Sequence, residues 1–577
     1  MKKLSTVLSL AVISAAAYAT GYSGTLPVLF INTENGAPVE SKETYLHATY
    51  YLDNMGIEGV KSIGTAEEPL GMLIRGRGNY SWLGFDKKPY RIKLDDKQPL
   101  LGMDKSKHFA LLAHADDNYG FMRNIVGFQL SRMIGMPWTP ADEPVEVVLN
   151  GDYIGLYFLT ETIRVDKNRV NIVEQPDLAT EPEEITGGWL VEIDNYDTDP
   201  HVSINEKDSK NSRIVFTYKT PEVLSPAQEQ YLIDQVTAIN DALYNPDLND
   251  NSWEDYIDTD ILARYYIVQE IVDDYESFHG SCYMYKNIGD CKWMFGPVWD
   301  FGNAFSYDKK QYIYQGRVWH NTWIAQMCAH PRFMDTVKEI WNTFYTGNFN
   351  DIYDYVDSYA ARISAAARCD AERWPSYGNA DMQERVNLVK KRIRNGAAWL
   401  SAQWSPVTTY SVYFTDNETP AWEQVYAYVW YQVDNDLIFP TGNWPGTKLD
   451  IDPETGMYIC EFSMRGDLPD NAMIIFGNGG YGEGNQTADL KYEPNAIYDR
   501  TGIIGNGISN LLFRQPSIKV QGSTLLIELE QPSAVTISDI AGRATIYHLP
   551  GGSNSIELPH GFYIIRAGSA TAKAVIP

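Results

Sequence analysis

The sequence predicts an α+β fold, in which a two-lobed block is followed by two smaller β units. The first observation is that residues 25–405 start with strand patterns and end with helical periodicity, which fits a strand-rich lobe and a helix-rich lobe. The second is a composition change near Ser405, after which β-branched and aromatic runs alternate with turn residues, as in a small β-sandwich. The third is a stretch rich in Gly, Asn and Ser after Gly502, which we interpret as a linker. The predicted units are residues 25–405, 408–502 and 516–577.

Several segments of the large block carry specific signals for hairpins or helices. Asn150-Gly151 lies between two apolar runs, which is the strongest short signal for a β-hairpin. Ser225 followed by Pro226 predicts a helix start, because serine caps helix N-termini and proline fits the first helical position. Three further helices are predicted over residues 261–272, 331–344 and 382–404.

The charge balance excludes one broad class of function. The 577 residues contain 47 Lys and Arg against 75 Asp and Glu, a formal net charge of -28. Such a surface repels phosphate backbones, so we do not expect a nucleic-acid-binding protein. Aromatic residues make up 13% of the chain, and this excess must either pack in cores or bind flat ligands.

The N-terminal residues predict export from the cytoplasm. Lys2 and Lys3 precede a short apolar run, and Ala17-Tyr18-Ala19 fits the rule for a cleavage site, so residues 1–19 are interpreted as a signal peptide. The alternative is an ordinary buried N-terminal helix. No later stretch reaches about 18 apolar residues, so no transmembrane span is expected. We therefore predict a secreted or cell-surface protein.

A concentration of positive charge in residues 75–93 suggests an anion site. The stretch holds six Lys and Arg against a single acid. Residues two apart in a strand share a face, so Arg91 and Lys93 lie on one side of their strand. Arg75 and Arg77 do the same one strand earlier, and paired cations of this kind suit phosphate oxygens. The alternative is a solvated face whose cations pair with nearby acids.

A second cluster carries acids that suit a magnesium ion. Asp273 and Asp274 end a predicted helix, and Asp300 follows an apolar strand. Magnesium binds carboxylate oxygens and keeps water and substrate phosphates in its other positions. The alternative is a solvated helix end and a turn cap, although acids at a helix C-terminus oppose the helix dipole.

Other chemistries find little support. The nine His form no His-x3-His pair, which argues against a zinc hydrolase. The Gly-x-Gly-x-x-Gly pattern at residues 477–482 leads into a strand-like segment, so we interpret it as a turn and not as a dinucleotide site. Five Cys are too few for a disulfide scaffold, and spacing alone does not decide whether Cys282 and Cys291 pair across their predicted hairpin.

Ordered motifs surround the two charged clusters, at residues 74–82, 87–94, 101–103, 122–124, 149–157, 159–163 and 295–301. They resemble the motifs of the spore-coat protein H (CotH) kinase family, and the resemblance covers most of residues 25–405. It implies a divergent kinase-like fold that uses ATP and Mg²⁺ to phosphorylate Ser or Thr of a protein.

The resemblance also implies roles for individual positions. Asp300 would ligate the Mg²⁺, or Mn²⁺, that bridges the nucleotide phosphates. Glu161 would be the carboxylate partner of the basic cluster. The residues that would hold the phosphates of ATP are Arg75, Lys88, Arg91 and Lys93.

The chain departs from the family at the catalytic loop. That loop resembles the kinase Asp-x4-Asn pattern, whose Asp accepts the proton of the substrate hydroxyl. The matching positions are Glu276, the candidate catalytic base, and Ser281, the candidate second metal ligand. Glutamate moves the carboxylate by one methylene, serine lacks the amide oxygen, and a misplacement of about 1 Å can cost ~100-fold in rate. Gly302 stands where the family usually has an acid.

The block after residue 405 carries candidate sugar-binding residues. Tyr426 and Tyr428 share one face of a predicted strand, Trp444 lies on a turn, and Gln486 supplies an amide. This order resembles the starch-binding carbohydrate-binding modules of family 26 over about residues 410–500, which implies that these four residues line an α-glucan site. Flat sugar faces stack on aromatic rings and amides bond hydroxyls. Trp430, by contrast, is expected in the sandwich core.

The last sixty or so residues resemble the C-terminal sorting domains of type IX secretion, which are found in Bacteroidota. The alternative is an ordinary terminal β module. Together these observations predict a secreted CotH-like atypical kinase tethered to α-glucan. The second hypothesis is a catalytically inactive kinase fold that acts as a surface starch- or polysaccharide-binding protein.

Overall fold

The structure is a computed structural model, which describes residues 21–194, 196–316, 320, 322–377, 381–433, 436–453, 455–506, 517–529, 533–539, 543–550, 552–567 and 570–577. The chain forms two compact units, Met1–Ser405 and Pro406–Pro577. The predicted signal peptide at residues 1–19 lies outside the described residues, so export stays a prediction. Within the described ranges, no helix combines the length and the apolar character needed to cross a bilayer.

The first lobe of the first unit is a closed β-barrel. Its strands are β1 (Val28–Thr33), β2 (Leu46–Asp53), β3 (Leu70–Gly76), β4 (Tyr90–Gln98), β5 (Ser106–Leu112), β6 (Asp142–Leu149) and β7 (Asp152–Glu161). Their order around the barrel is β1-β2-β3-β4-β5-β7-β6. Parallel pairing of β1 with β6 closes the ring, and the other neighbours are antiparallel. Helix α1 (Tyr80–Gly84) lies between β3 and β4, and helix α2 (Arg123–Ile134) follows β5.

The barrel confirms two predictions from local pattern. Strands β6 and β7 pair as a hairpin across Asn150 and Gly151, which both adopt positive φ angles of 52° and 83° as a two-residue hairpin turn requires. In β4, Ile92 is buried while Arg91 is half-buried and Lys93 is exposed, so the two cations share the face opposite the core. Alternating burial therefore places the positive charge on one side of the sheet.

The second lobe combines a five-stranded sheet with most of the helices. The strands are β8 (Trp189–Asp194), β9 (His201–Asn205), β10 (Arg213–Thr220), β11 (Cys282–Lys286) and β12 (Met294–Phe295), in the order β12-β11-β8-β10-β9. The helices are α3 (Pro182–Ile185), α4 (Pro226–Leu243), α5 (Thr259–Val272), α6 (Ile324–Met327), α7 (Pro331–Thr346), α8 (Asp351–Arg373) and α9 (Met382–Trp404). This lobe confirms the predicted α+β arrangement in two lobes.

Most of the long helices of this lobe were predicted from local sequence signals. Helix α4 begins as predicted, with the Ser225 side chain accepting from the backbone of Gln228 and the Gln228 side chain accepting in return. Helices α5, α7 and α9 were also predicted. Helix α8 was not predicted from the sequence, although its buried residues, among them Ile352, Val356 and Ile363, recur at helical spacing.

The second unit begins with a β-sandwich. Its strands are β13 (Val407–Phe414), β14 (Tyr426–Val433), β15 (Asp436–Ile438), β16 (Thr447–Lys448), β17 (Asp450–Ile451), β18 (Tyr458–Arg465), β19 (Met473–Gly477), β20 (Leu490–Lys491), β21 (Ala496–Asp499) and β22 (Gly502–Asn506). One sheet has the order β17-β18-β13-β21-β22 and the other β15-β14-β19-β20, with β16 paired to β14. One core joins the two sheets, with Val412 from the first and Val429 from the second. Strand β22 covers Gly502–Asn506, so the predicted linker does not begin directly after Gly502, and the remainder of it, residues 507–516, lies outside the described residues.

The last part of the chain is a second small β structure. Its strands are β23 (Ser517–Gln521), β24 (Thr524–Leu529), β25 (Ser533–Asp539), β26 (Ala544–Leu549), β27 (Gly552–Glu557), β28 (Gly561–Ala567) and β29 (Ala570–Ile576). They form sheets of order β23-β24-β27 and β26-β25-β28-β29 around a shared core. The fold of this segment is the β unit expected from its sequence, and a role in type IX sorting stays a prediction.

Cys282 and Cys291, whose pairing the sequence did not decide, do not form a disulfide. All five thiols are free; Cys282 is buried in β11, whereas Cys291 is exposed. Burial raises the pKa of Cys282 to about 12, so this thiol stays protonated and inert.

Candidate functional site

The loop that carries Asp300 is placed by the packing of the residue next to it. Asp300 is exposed, has a left-handed backbone with φ of 57°, and follows the buried Val298. Phe301 is fully buried against helix α2, where Gly127 makes room for its ring. A Cβ at Gly127 would lie 2.3 Å from a ring atom of Phe301, so any larger residue there would displace the loop.

Two adjacent side chains at the start of α2 hold this loop by hydrogen bonds. The amide oxygen of Asn124 accepts from the backbone N–H of Phe301 at 2.9 Å. The guanidinium of Arg123 donates to the carbonyl oxygen of Gly302. The Asn124 amide nitrogen also lies 3.2 Å from Nε2 of His114, whose pKa is lowered to about 3 by burial and by nearby cations, so the ring is neutral. The motif at residues 122–124 therefore positions Asp300.

Several carboxylates converge on Asp300. Burial, Asp117 and Asp300 together raise the pKa of Asp116 to about 6. A Cβ added to Gly302 would lie 3.3 Å from an oxygen of Asp300 and 3.8 Å from one of Asp116, so both carboxylates border this glycine. The pKa of Asp274 is raised well above its usual value by burial and then by Glu276 and Asp300. Repulsion among these groups favours a bound cation at this site.

The candidate base Glu276 belongs to the same cluster. Its carboxylate accepts from the side-chain amide of Asn303. The amide oxygen of Asn303 in turn accepts from the hydroxyl of Tyr275 at 2.8 Å. Glu276 is therefore oriented by a residue three positions after Asp300 in the chain. Ser281, the other catalytic-loop position, precedes β11 with φ of 51° and makes no hydrogen bond to any described member of this cluster.

The acids at the end of α5 do not all face this cluster. Lys309 is buried and forms ion pairs with Glu270 and, at 3.0 Å, with Asp273. Asp273 is therefore neutralised from within the protein, and a role of Asp274 in binding magnesium stays a prediction. The same pairing anchors the start of the loop that presents Glu276.

The basic strands carry a second set of charged side chains. Arg75 in β3 and Arg91 in β4 lie directly opposite each other, and like charges in this position repel. The Nε atoms of both are buried and lack a hydrogen-bond partner among the described residues. Lys93 is exposed and faces His108 on β5. Arg75 and Arg91 therefore fit the chemistry of phosphate binding.

Two of the predicted phosphate-site residues are engaged elsewhere. Lys88 donates to the carbonyl oxygen of Trp82 at 2.6 Å and lies over the Trp82 ring. Glu161 accepts from the backbone N–H of Ala141 at 3.0 Å, and within the described part of the chain its ion pair is with Arg169, at 3.7 Å. The structure thus places Glu161 against Arg169, whereas the family resemblance implied that it pairs with the cluster of residues 88–93.

Arg77 connects the basic strands with the acidic cluster. Its guanidinium lies 5.8 Å from the centroid of the Trp299 ring. Burial lowers the pKa of Arg77, attraction to Asp300 raises it, and repulsion from Arg91 lowers it further. Arg77 is thus close enough to interact with both Asp300 and Arg91. Sequence reasoning counted Arg77 in the basic stretch without selecting it, and it missed Asp116, whose signal was a pair of acids directly after an apolar strand.

The aromatic residues of the second unit also converge. Tyr426 lies opposite Gly477 in the pairing of β14 with β19, and Gln486 bridges to the same glycine. The rings of Tyr428 and Trp444 meet edge to face, with centroids 5.3 Å apart. The four residues predicted to bind sugar, Tyr426, Tyr428, Trp444 and Gln486, are therefore grouped on one side of the sandwich.

Trp430 does not lie in the sandwich core, contrary to the expectation from the sequence. Along β14 the residues Val425, Ala427 and Val429 are buried, whereas Tyr426, Tyr428 and Trp430 are all half-buried on the other face. Trp430 is therefore outside the sandwich core, on the same side of the strand as the two tyrosines. The cause is strict alternation along the strand, which outweighs the general preference of a large indole for the core.

Comparison with known families identifies both regions. The profile of the family described as CotH kinase protein matches residues 74–400, more than half of the chain. The chain belongs to the CotH kinase family. The profile of starch-binding module 26 matches residues 412–492. No curated protein matches the sequence.

A solved structure similar to part of the chain is CBMbc, a family CBM26 module from Eubacterium rectale Amy13K in complex with maltoheptaose. It shares 14% sequence identity, covers 29% of this chain and 87% of its own, and has a TM-score of 0.15.

Membership of the CotH kinase family implies use of a nucleotide and a metal ion if the domain is active. Within the described ranges, no group of three or more His, Cys, Asp or Glu is arranged to hold a metal ion. Magnesium in phosphate-transferring sites is often held by one or two carboxylates together with substrate phosphates. Exposed Asp300, with Asp116 and Asp274 beside it, fits that smaller requirement.

Proposed function

We propose that the CotH-family domain is an atypical protein kinase that transfers the γ-phosphoryl group of ATP to Ser or Thr of a protein, and that the starch-binding module tethers it to α-glucan. The observation that carries the kinase proposal is the position of Arg77, whose guanidinium lies 5.8 Å from the ring centroid of Trp299, the residue before Asp300, where Asp300 attracts its charge. A phosphate site and a carboxylate site joined in this way suit a nucleotide with its metal ion.

Different residues of the chain have different roles in such a reaction. Arg75, Arg77 and Arg91 bind and orient the phosphates by charge-assisted hydrogen bonds. Asp300 would hold the metal ion, which would neutralise charge on the phosphate oxygens when bound. Glu276, held by Asn303, accepts the proton of the acceptor hydroxyl as that oxygen bonds to the γ-phosphorus, while the bond from this phosphorus to the β–γ bridging oxygen breaks and ADP leaves.

A second function is favoured by the catalytic loop. Glu276 is longer than the family's Asp, and Ser281 makes no hydrogen bond to the described acidic residues around Asp300. A domain with these changes would still bind a nucleotide while transferring phosphate slowly or not at all. The protein would then act as a surface starch- or polysaccharide-binding protein.

Nucleotide binding tests the proposal independently of turnover. Replacing Arg77 with glutamine is expected to weaken binding of ATP with Mg²⁺ by about tenfold or more, since a hydrogen bond to a charged group contributes about 1.5–3 kcal/mol. Isothermal titration calorimetry on the full chain measures this. The matched control is Arg332→Gln, an exposed arginine of α7 whose loss should leave affinity unchanged. Equal affinity for the wild type and Arg77→Gln would contradict the proposed phosphate site.

We also propose that the protein is exported, with cleavage after residue 19 and with the terminal β unit as a type IX sorting domain. The basic start, short apolar run and small residues at positions 17 and 19 support this proposal. The mass of the protein isolated from its native cells should then correspond to a chain that begins near Thr20, and the protein should be found at the surface or in the medium. A cytoplasmic protein that retains Met1–Ala19 would contradict it.

A further inference from the structure

One exposed aromatic side chain next to the predicted sugar-binding residues has no role so far. Tyr481 is 73% exposed, which is unusual for an aromatic ring in a fixed position. Its ring stacks on that of Trp444, with centroids 4.7 Å apart and planes inclined by 19°. The tyrosine therefore presents one flat face to Trp444 and the other to solvent.

Because Tyr481 covers one face of Trp444, the outer face of Tyr481 is open to a ligand in place of that face of the indole. Trp444 is half-buried, because Tyr481 covers one face of the indole and the edge of Tyr428 meets it at an interplanar angle of 70°. On the other side of Tyr428, Phe439 stacks with centroids 5.4 Å apart. The four rings form a row, Phe439–Tyr428–Trp444–Tyr481, and Tyr481 is its most exposed end.

The loop that contains Tyr481 is fixed by its glycine conformations and by hydrogen bonds, and it holds the ring beside Trp444. Gly479, Gly482 and Gly484 all have positive φ angles, which glycine adopts without strain. The carbonyl oxygen of Gly484 accepts from the indole N–H of Trp422 at 3.1 Å, and Asn485 donates to the carbonyl oxygen of Tyr481 at 3.1 Å. The loop is therefore fixed to the sandwich, although the Tyr481 ring contributes almost nothing to its core.

We propose that Tyr481 is a further carbohydrate-binding residue, which adds a stacking subsite for an additional glucose unit at the end of the aromatic row. This inference rests on the proposed α-glucan function of the module. The chemistry is that of the neighbouring residues: the apolar C–H face of a pyranose packs on the flat outer face of the ring, while the phenol hydroxyl at its rim bonds sugar hydroxyls. A subsite at the end of a row selects for longer chains, because a short ligand that occupies the centre does not reach it.

Chain-length dependence of binding tests the proposal. On the full chain, Tyr481→Ala should weaken binding of maltoheptaose by about three- to tenfold, the range expected for one aromatic stacking contact, and binding of maltose by less than about twofold. Tyr481→Phe should keep most of the maltoheptaose affinity, since it keeps the ring. Ile451→Ala, an exposed change on the other sheet, serves as the matched control.

The outcomes separate this inference from the function on which it rests. Unchanged or stronger maltoheptaose binding by Tyr481→Ala, or an equal loss for maltose and maltoheptaose, would overturn the subsite while leaving a starch-binding module in place. A wild-type chain that binds neither sugar would overturn the α-glucan function and the subsite with it.

Discussion

Phosphate transfer from ATP is expected to fall by about 100- to 1000-fold when Asp300 is replaced by asparagine, the loss typical of removing one group that stabilises transferred charge. Asparagine keeps the shape of the side chain and removes the negative charge that a metal ion needs. Asp300 is exposed and its loop is fixed by Phe301 and Asn124, so the fold should not change. Incubation of the full chain with labelled ATP and Mg²⁺ or Mn²⁺, with a candidate acceptor protein, measures the effect.

The matched control for this experiment is Asp335→Asn. Asp335 lies exposed on α7 and pairs with Lys338 at 3.4 Å, so its charge is removed far from any proposed chemistry. Equal label transfer by the wild type and Asp300→Asn would show that the site does not catalyse the reaction. Absence of transfer by the wild type, combined with ATP binding that depends on Arg77, would favour the inactive kinase fold.

Retention by starch is expected to be lost when Trp444 is replaced by alanine. Trp444 contacts both Tyr428 and Tyr481, so its removal takes away its own surface and also the support for its neighbours. Central aromatic residues of binding sites commonly contribute 2 kcal/mol or more, which corresponds to about 30-fold in affinity. Electrophoresis through gels with and without soluble starch measures the change as a loss of retardation.

Two comparisons make the starch experiment decisive. Ile451→Ala should be retarded as strongly as the wild type, because Ile451 is exposed on the sheet that does not carry the aromatic row. Melting curves should show that Trp444→Ala remains folded. Unchanged retardation of Trp444→Ala would mean that α-glucan binds elsewhere on the protein or not at all.

Local pattern predicted much of the fold because several elements are encoded by neighbours in sequence. The hairpin at Asn150 follows from two residues that tolerate positive φ, and the start of α4 follows from Ser225 and Pro226. The same period-two argument that placed Tyr426 and Tyr428 on one face also applied to Trp430. The expectation for Trp430 was wrong because a preference based on residue type was set above the alternation.

The candidate kinase site was less predictable because its parts come from distant segments. Asp116 follows β5, Arg77 follows β3, and Asp300 follows β12, and only the folded chain brings their charges within range of one another. The sequence shows where like charges are adjacent, but it does not show which residues neutralise them in the folded chain. Lys309 and Arg169 changed the interpretation of Asp273 and Glu161, since neither partner lies in the same helix or strand as the acid that it pairs with.

The closure of the barrel has a consequence for how the molecule assembles. The ring is completed by pairing residues 28–31 with residues 146–149, so its first strand waits for a partner more than a hundred positions later in the chain. Contacts of such long sequence separation form slowly. Strand β1 therefore keeps an unpaired edge until β6 has formed and packed against it, so closure of the barrel is expected to be a late step in folding.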